Sequence, residues 1–358
     1  MPAPTAPFVY DALPGRVRFG EGALDGLTDE IAHLGLARVL VLSTAGQAAL
    51  AKRVASLIGD SCVGTFSGAV MHTPVEVTET AVAEAERLRV DGLVAVGGGS
   101  TIGLGKAIAL RTDLPQIAIP TTYAGSEMTP VIGQTRDGAK ATETTMKVLP
   151  EVVIYDARLT LDLPVGISGT SGINAIAHAV EALYARNRNP LIDLIAVEGT
   201  RSLAEALPLI AADPGNLEAR TEAQYGAWLC GICLANAGMA LHHKLCHTLG
   251  GSYGLPHAET HTVILPHALA YNAPAAEGAV EALRGALNTV DPALALQELA
   301  RKMGAPLSLR ELGFAKSDID GASDRVLAKP YWNPRPVERE PLRRTLLRAW
   351  EGHAPASD

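Results

Sequence analysis

Aromatic residues make up only 4% of this 358-residue chain, and cysteines number four. Cys62, Cys230, Cys233 and Cys246 are too few and too irregularly spaced for a disulfide framework. That excludes the small cross-linked secreted class and implies a reduced, cytoplasmic setting. Cys230 and Cys233 form a CxxC within YGAWLCGICLANAG, which reads as a buried helix, so packing is favoured over redox chemistry. No apolar run is long enough to span a bilayer. The start, MPAPTAPFVYDALPG, has neither the basic nor the apolar stretch of an export signal, so no membrane partner is expected. Blocks of like charge are missing too. With 19% charged residues and a net charge of −8, the chain lacks the basic footprint of a nucleic-acid binder. Repeats and low-complexity tracts are not evident.

Alanine, glycine and apolar side chains are abundant, and hydrophobic residues reach 47%. A chain of this length exceeds one compact core, so two well-packed domains are expected. The first half alternates short apolar runs with amphipathic segments: ARVLVLST, CVGTFSG, GLVAVGGG, QIAIPTT and VVIYD read as strands, with helices between most of them. Buried strands separated by helices imply an α/β domain built on a doubly wound parallel sheet. After LDLPVG, long helical patterns take over and strand signals nearly vanish. The expected division is an α/β nucleotide-binding domain over 1–162 and an all-helical substrate and catalytic domain over 163–358. Such a junction is where a ligand cleft is expected.

VAVGGGSTIGLGK places Gly97, Gly98, Gly99, Ser100 and Thr101 between a strand and a helix. Glycines allow close backbone approach, and a helix N-terminus offers free N–H groups and positive potential, so phosphate binding is favoured over a plain tight turn. The sequence is neither GxGxxG nor a Walker loop. The next strand ends in PTTYAGSEMTP, where Thr121, Thr122, Ser126 and Thr129 crowd hydroxyls at the end of a strand that open sheets use for ligands. At the end of VLVLSTAG, Ser43 and Thr44 stand where an acid would grip a ribose 2′-hydroxyl and repel a 2′-phosphate. Strict choice of NAD over NADP is therefore not encoded there.

Six of the ten histidines fall between 242 and 267. Asn174 and His178 in SGINAIAHAVEAL are four apart and share a helix face, as do His243 and His247; His257 follows the turn GGSYGLP. His178, His243 and His257 could give three nitrogens to a catalytic metal. His242, His261 and His267 read as surface or packing residues. Negative charge is what the set lacks, because Asn174 offers only a neutral amide oxygen. Glu181 is judged out of phase with Asn174, and Glu259 sits on a loop of unknown direction.

GGGSTIGLGK, PTTYAGSEMT, SGINAIAHAVEA and HHKLCHTLGGSYGLPH together resemble the iron-containing (group III) alcohol dehydrogenase family, over nearly the whole chain. The resemblance implies a dehydroquinate synthase-like fold with an N-terminal NAD(P) domain, nucleotide contacts from Lys140, and a metal held by an aspartate and three histidines. Those positions fall on Asn174, His178, His243 and His257, and His247 matches a further histidine near the nicotinamide. Several departures occur together: Gly103 replaces the aspartate of GGGSxxD, PTTxGTGSE is shortened to PTTYAGSE, and Asn174 replaces the metal-binding aspartate. With MHTPVEVT and YWNPRPV, they resemble a branch that works with NADH or NADPH and without metal, so no metal is expected.

That branch reduces a C=C conjugated to a ketone in a dicarboxylate. His243 and His247 are then the expected catalytic residues, holding the developing oxyanion and delivering the proton. Asn174, His178 and His257 would bind substrate, with Arg335, Arg343 and Arg344 as further candidates. The partner expected is a small dicarboxylate, and a homodimer is the family's common state. The rival readings are a metal-dependent alcohol or polyol dehydrogenase, a non-redox enzyme similar to dehydroquinate synthase, and a plain nucleotide binder, which would have no need of the histidines.

Overall fold

A computed structural model describes residues 8–136, 139–329 and 331–357, the side chains of 135, 136 and 139–141 excepted. The chain divides into two compact units, Leu13–Leu163 and the part from Pro164 onward, the latter taking in residues 8–12 as well.

In the first unit the elements are β1 (Arg16–Phe19), α1 (Leu27–His33), β2 (Val39–Thr44), α2 (Ala48–Ile58), β3 (Cys62–Ala69), α3 (Val75–Leu88), β4 (Gly92–Gly97), α4 (Gly99–Thr112), β5 (Gln116–Pro120), the hairpin β6 (Val131–Arg136) and β7 (Ala139–Thr144), and β8 (Val152–Tyr155). Six strands form one sheet in the order β1-β8-β5-β4-β2-β3, and every pairing in it is parallel. The apolar runs are buried on both faces, and the pleat sorts them. Val39, Val41, Val94, Val96, Ile117 and Ile119 point to one side, against Leu27 and Ile31 of α1 and Ala51 and Val54 of α2. Leu40, Leu42, Leu93 and Ala95 point to the other, against Ala81 and Ala85 of α3 and Leu104 and Ile108 of α4. Each valine, leucine or isoleucine among them contributes roughly 1.5–3 kcal/mol by leaving water. This is the doubly wound sheet that the alternating pattern implied.

The helical unit contains α5 (Val165–Ala182), α6 (Pro190–Ala212), α7 (Leu217–Asn236), α8 (Leu241–Tyr253), α9 (His257–Asn272), α10 (Glu277–Leu287), α11 (Pro292–Lys302), α12 (Ile319–Leu327) and α13 (Arg339–Glu351). Helix α5 is buried all round from Ser168 to Ala182, which its alanine, glycine and serine content permits at close packing. Leu241, Leu245 and Leu249 of α8 share a core with Val263 and Ile264 of α9 and Leu342 and Leu346 of α13. Cys230 and Cys233 are free and buried in α7, and burial pushes the Cys230 thiol up, so this CxxC packs. No helix among the described residues is long and apolar enough to cross a membrane.

Candidate active site

The nucleotide-type loops all lie at the carboxyl ends of parallel strands. Gly97 closes β4 with φ 155°, and a Cβ there would lie 2.4 Å from the Thr101 hydroxyl and 2.7 Å from Gln47 Oε1, so the position admits only glycine. Gly98 caps α4 with no side-chain hydrogen bond, and the space beside Gly99 is open. A free helix N-terminus with room in front of it suits an anionic group. Gln47, just past β2, donates to the Thr121 hydroxyl at 2.8 Å, and Thr44 Oγ1 lies 3.5 Å from Gln47 Oε1. Thr44, Gly97–Thr101 and Thr121 are thus brought together across three strand ends. Gln47 has no motif around it, and sequence reasoning missed it.

The second loop is pinned from below. Lys106, at the end of GGGSTIGLGK, is fully buried in α4. Its ammonium donates to Ser126 O (2.6 Å), Thr129 O (2.7 Å), Thr129 Oγ1 (2.9 Å) and Val131 O (2.9 Å). Burial lowers its pKa to about 7. The Thr129 hydroxyl is therefore spent on Lys106 rather than on a ligand. Beside it Tyr155 donates to Glu127 at 2.7 Å, a carboxyl whose pKa burial raises. Lys140 lies on β7, but its side chain falls outside the described residues.

Gly103 has its own explanation. A Cβ there would stand 2.6 Å from the Thr73 hydroxyl. Thr73 is buried with φ 44°, and His72 before it has φ 66°, a strained pair for non-glycine residues. Threonine 73 occupies the room that a larger residue at 103 would need.

In the helical unit, α5 presents Asn174 and His178, both buried. α8 brings the buried His243 and the exposed His247, and His257 opens α9, exposed. The His178 and His243 rings lie 5.2 Å apart, and those of His243 and His247 6.0 Å. Burial first, then His243, His257 and His247, push the His178 pKa well below the usual histidine range, so its ring is neutral. Among the atoms here that are buried without a hydrogen-bond partner are Asn174 Oδ1, His178 Nδ1 and His243 Nε2.

His242, His261 and His267, read from sequence as surface or packing residues, are all buried. His242 Nε2 and His261 Nδ1 share a hydrogen bond of 2.9 Å, with Cys246 Sγ 3.8 Å from the former. These three could meet a metal ion by distance alone. Their facing nitrogens are already paired, however, and burial followed by the Glu181 charge pushes the Cys246 thiol well above its usual range. The trio is a hydrogen-bonded cluster whose rings lie against His243 and His257.

Glu181 lies seven residues after Asn174, about 20° away around a helix, so the two are in phase, contrary to the sequence reading. Its buried carboxylate accepts from Ala240 N (2.8 Å), His242 N (2.8 Å) and His243 Nδ1 (2.7 Å). The YWNPRPV segment acts at the same helix start: Asn333 accepts from Leu241 N at 3.2 Å and exchanges two hydrogen bonds with Asn272. Two of the three arginines have partners outside the histidine cluster. Arg335 donates to Tyr271 O at 2.9 Å and lies over that ring at 4.4 Å, while Arg343 pairs with Asp320 and Arg344 is exposed.

Comparison with known proteins places this combination of a dinucleotide-type sheet and a histidine-lined helical unit. The chain belongs to the iron-containing alcohol dehydrogenase family: iron-containing alcohol dehydrogenase matches residues 14–157, and the C-terminal part of the Fe-containing alcohol dehydrogenase family matches 168–350. Within the family it is similar to maleylacetate reductases. That of Rhizobium sp. (strain MTP-10005) is 54% identical over 98% of this chain and 99% of its own. The crystal structure of maleylacetate reductase from Agrobacterium tumefaciens has a TM-score of 0.95 at 54% identity, covering 98% of this chain and 100% of that one. An iron-containing alcohol dehydrogenase from Corynebacterium glutamicum has a TM-score of 0.94 at 46% identity, covering 99% of each.

These findings correct the expectation of a metal-free site. Both halves match a family named for its iron, which implies that an ion is bound. The residues fit an ion. His178 Nδ1, His243 Nε2 and Asn174 Oδ1 are buried and unpartnered, and His257 stands near enough to act on His178. Carboxylate support behind a ligating imidazole is the usual arrangement of metal sites, and the Glu181–His243 pair supplies it.

Proposed function

We propose that the chain is a maleylacetate reductase: it reduces the C=C bond of maleylacetate with NADH or NADPH, giving 3-oxoadipate in the breakdown of aromatic compounds. The observation that carries this reading is an identity of 54% to a maleylacetate reductase along nearly the full length of both chains. The reading also includes a cytoplasmic location, supported by four free cysteines, and a homodimeric state.

The coenzyme supplies a hydride, and an ion held by His178, His243 and His257 supplies positive charge for an oxygen. The chain's own contribution is to bind, orient and move a proton. Gly97–Thr101, Thr121, Thr122, Ser126 and Thr44 hold the nucleotide, with Lys140 as a ribose contact. Asn174, His178 and His257 line the place of the dicarboxylate, the two histidines through the ion they would hold. Hydride enters the alkene carbon β to the ketone, and the electron pair moves to the ketone oxygen as an enolate. His247 faces that charge as a donor while His243 would act through the ion it holds, and the enolate collapses as a proton reaches the α carbon. His247 is the better proton carrier, because it is exposed to solvent while His243 is buried. One NAD(P)H and one proton are consumed per double bond.

The test is loss of NADH absorbance on adding maleylacetate, with simple alcohols and NAD+ as the control. Turnover of maleylacetate far exceeding alcohol oxidation is expected. Steady alcohol oxidation without maleylacetate turnover would select the metal-dependent alcohol dehydrogenase reading. His247→Ala should lower kcat by roughly 10²- to 10⁴-fold, the range of a lost general acid.

A further inference from the structure

We propose that Glu181 is a positioning residue that fixes the ring orientation and tautomer of His243, so that Nδ1 carries the proton and Nε2 presents its lone pair to the reaction site. The tautomer follows from contacts alone; its effect on turnover rests on the proposed function.

Glu181 is wholly buried on α5, yet no lysine or arginine pairs with it among the described salt bridges; its partner there is His243, at 2.7 Å. Its other contacts include backbone N–H groups at the start of α8, Ala240 N and His242 N at 2.8 Å and His243 N at 3.5 Å, and the Tyr184 hydroxyl, whose pKa burial and then the Glu181 charge raise. A helix N-terminus leaves its first N–H groups without internal acceptors and carries partial positive charge. α8 has no cap from its own N-cap residue, Ala240, so Glu181 supplies one from another helix.

That arrangement decides the direction of the last hydrogen bond. Oε1 accepts from His242 N, and Oε2 accepts from Ala240 N. The same Oε2 meets His243 Nδ1. A carboxylate that receives N–H donors on both oxygens at a helix N-terminus acts as an acceptor only, so Nδ1 is the donor. In a neutral imidazole the other nitrogen then bears a lone pair. His243 Nε2 is buried without a protein partner, which an acceptor tolerates better than an N–H would.

One helix therefore does two jobs. Asn174 and His178 line the site from α5, and Glu181 on the same stripe holds the facing helix and aims its histidine. The negative charge missing at Asn174 is present one layer further out, acting through an imidazole.

The experiment compares wild type, Glu181→Gln and Glu181→Asp by two-bond 1H–15N spectra of histidine-labelled protein. Zn2+ replaces any iron, and spectra are repeated after chelation; His243 is assigned by its loss in His243→Asn. Wild type is expected to show His243 as the Nδ1–H form. The amide of Glu181→Gln sets its NH2 against a backbone N–H in either orientation, so the chelated variant should no longer hold a single Nδ1–H form. Its kcat should fall roughly 10- to 100-fold, the usual cost of removing such a support, with KM nearly unchanged. Glu181→Asp, which keeps the charge, should restore part of both signals. An Nε2–H form in wild type would overturn the inference, as would a Glu181→Gln protein with unchanged tautomer and kcat. If the variants fail to fold, the wild-type spectrum alone decides. An Nδ1–H signal in a protein that does not turn over maleylacetate would defeat the proposed function and leave this inference standing.

Discussion

At the scale of single residues, Asn174 is a buried lone pair without a charge. Its Oδ1 has no partner, and the imidazoles near it are neutral where a shift is resolved, as for His178. A carboxylate there would attract a divalent ion directly, and without the ion it would be a buried unpaired charge. Asn174→Asp should therefore tighten Zn2+ or Fe2+ binding by about tenfold or more, since each 1.4 kcal/mol is tenfold. It should also make thermal stability depend on the ion. Calorimetric titration and melting curves with and without EDTA check both; equal affinity in the two proteins would show that position 174 does not face the ion. Gly103 offers a second test. With the Thr73 hydroxyl 2.6 Å from its missing Cβ, Gly103→Asp forces Thr73 to move and should cost about 1–3 kcal/mol in urea unfolding. Adding Thr73→Gly should recover part of that loss, and simple additivity would refute the steric pairing.

Whole elements show why some parts of the molecule were legible in the sequence and others were not. VLVL, LVAV and VVIY are continuous apolar runs because parallel strands are buried on both faces, and the sequence reading found them. RVRF of β1 escaped notice because it lies at the sheet edge, with Arg16 and Arg18 reaching the buried Glu30 of α1 at 2.6 and 2.9 Å. Histidines at four-residue spacing were readable as faces. The acceptors that cap α8 were not, because Glu181 and Asn333 lie 61 and 92 positions from their partners His242 and Leu241. Long-range capping leaves no local pattern.

His267 on α9 carries this into stability. Both ring nitrogens are buried without partners, and burial, then Arg348 and His353, lower its pKa to about 4. A lowered folded pKa means the unfolded chain takes up the proton first. The stabilising effect of the neutral ring is complete above about pH 6.5 and is lost as pH falls toward 4. The loss is about 3 kcal/mol, at 1.36 kcal/mol per pH unit. Urea midpoints for wild type should fall across that window, and those of His267→Leu should fall less steeply. Parallel curves would remove His267 as a cause.

At the scale of the molecule, the chemistry is divided between two compact units. The nucleotide-type residues Thr44, Gly97–Thr101, Thr121, Thr122 and Ser126 all fall within Leu13–Leu163, and Asn174 with its histidines falls from Pro164 onward. Two ligands with separate footprints should therefore protect separate stretches of backbone. Binding to the native state slows the openings that expose amides by a factor of 1 + [L]/Kd, about a hundredfold at a hundred times Kd. Hydrogen exchange followed by mass spectrometry should show NADH protecting 92–102 and 116–129, where β4 and β5 run into their loops. Zn2+ added alone should instead protect 171–183 and 240–261, the parts of α5, α8 and α9 that carry the imidazoles. The α8 amides should respond even though Glu181 and Asn333 already occupy the first of them, because the ion would hold His243 and, through it, the start of that helix. Protection by NADH confined to the helical unit would mean that the glycine turn at Gly97–Gly99 is only a packing device. Protection by Zn2+ outside the histidine stretches would move the ion away from His178, His243 and His257.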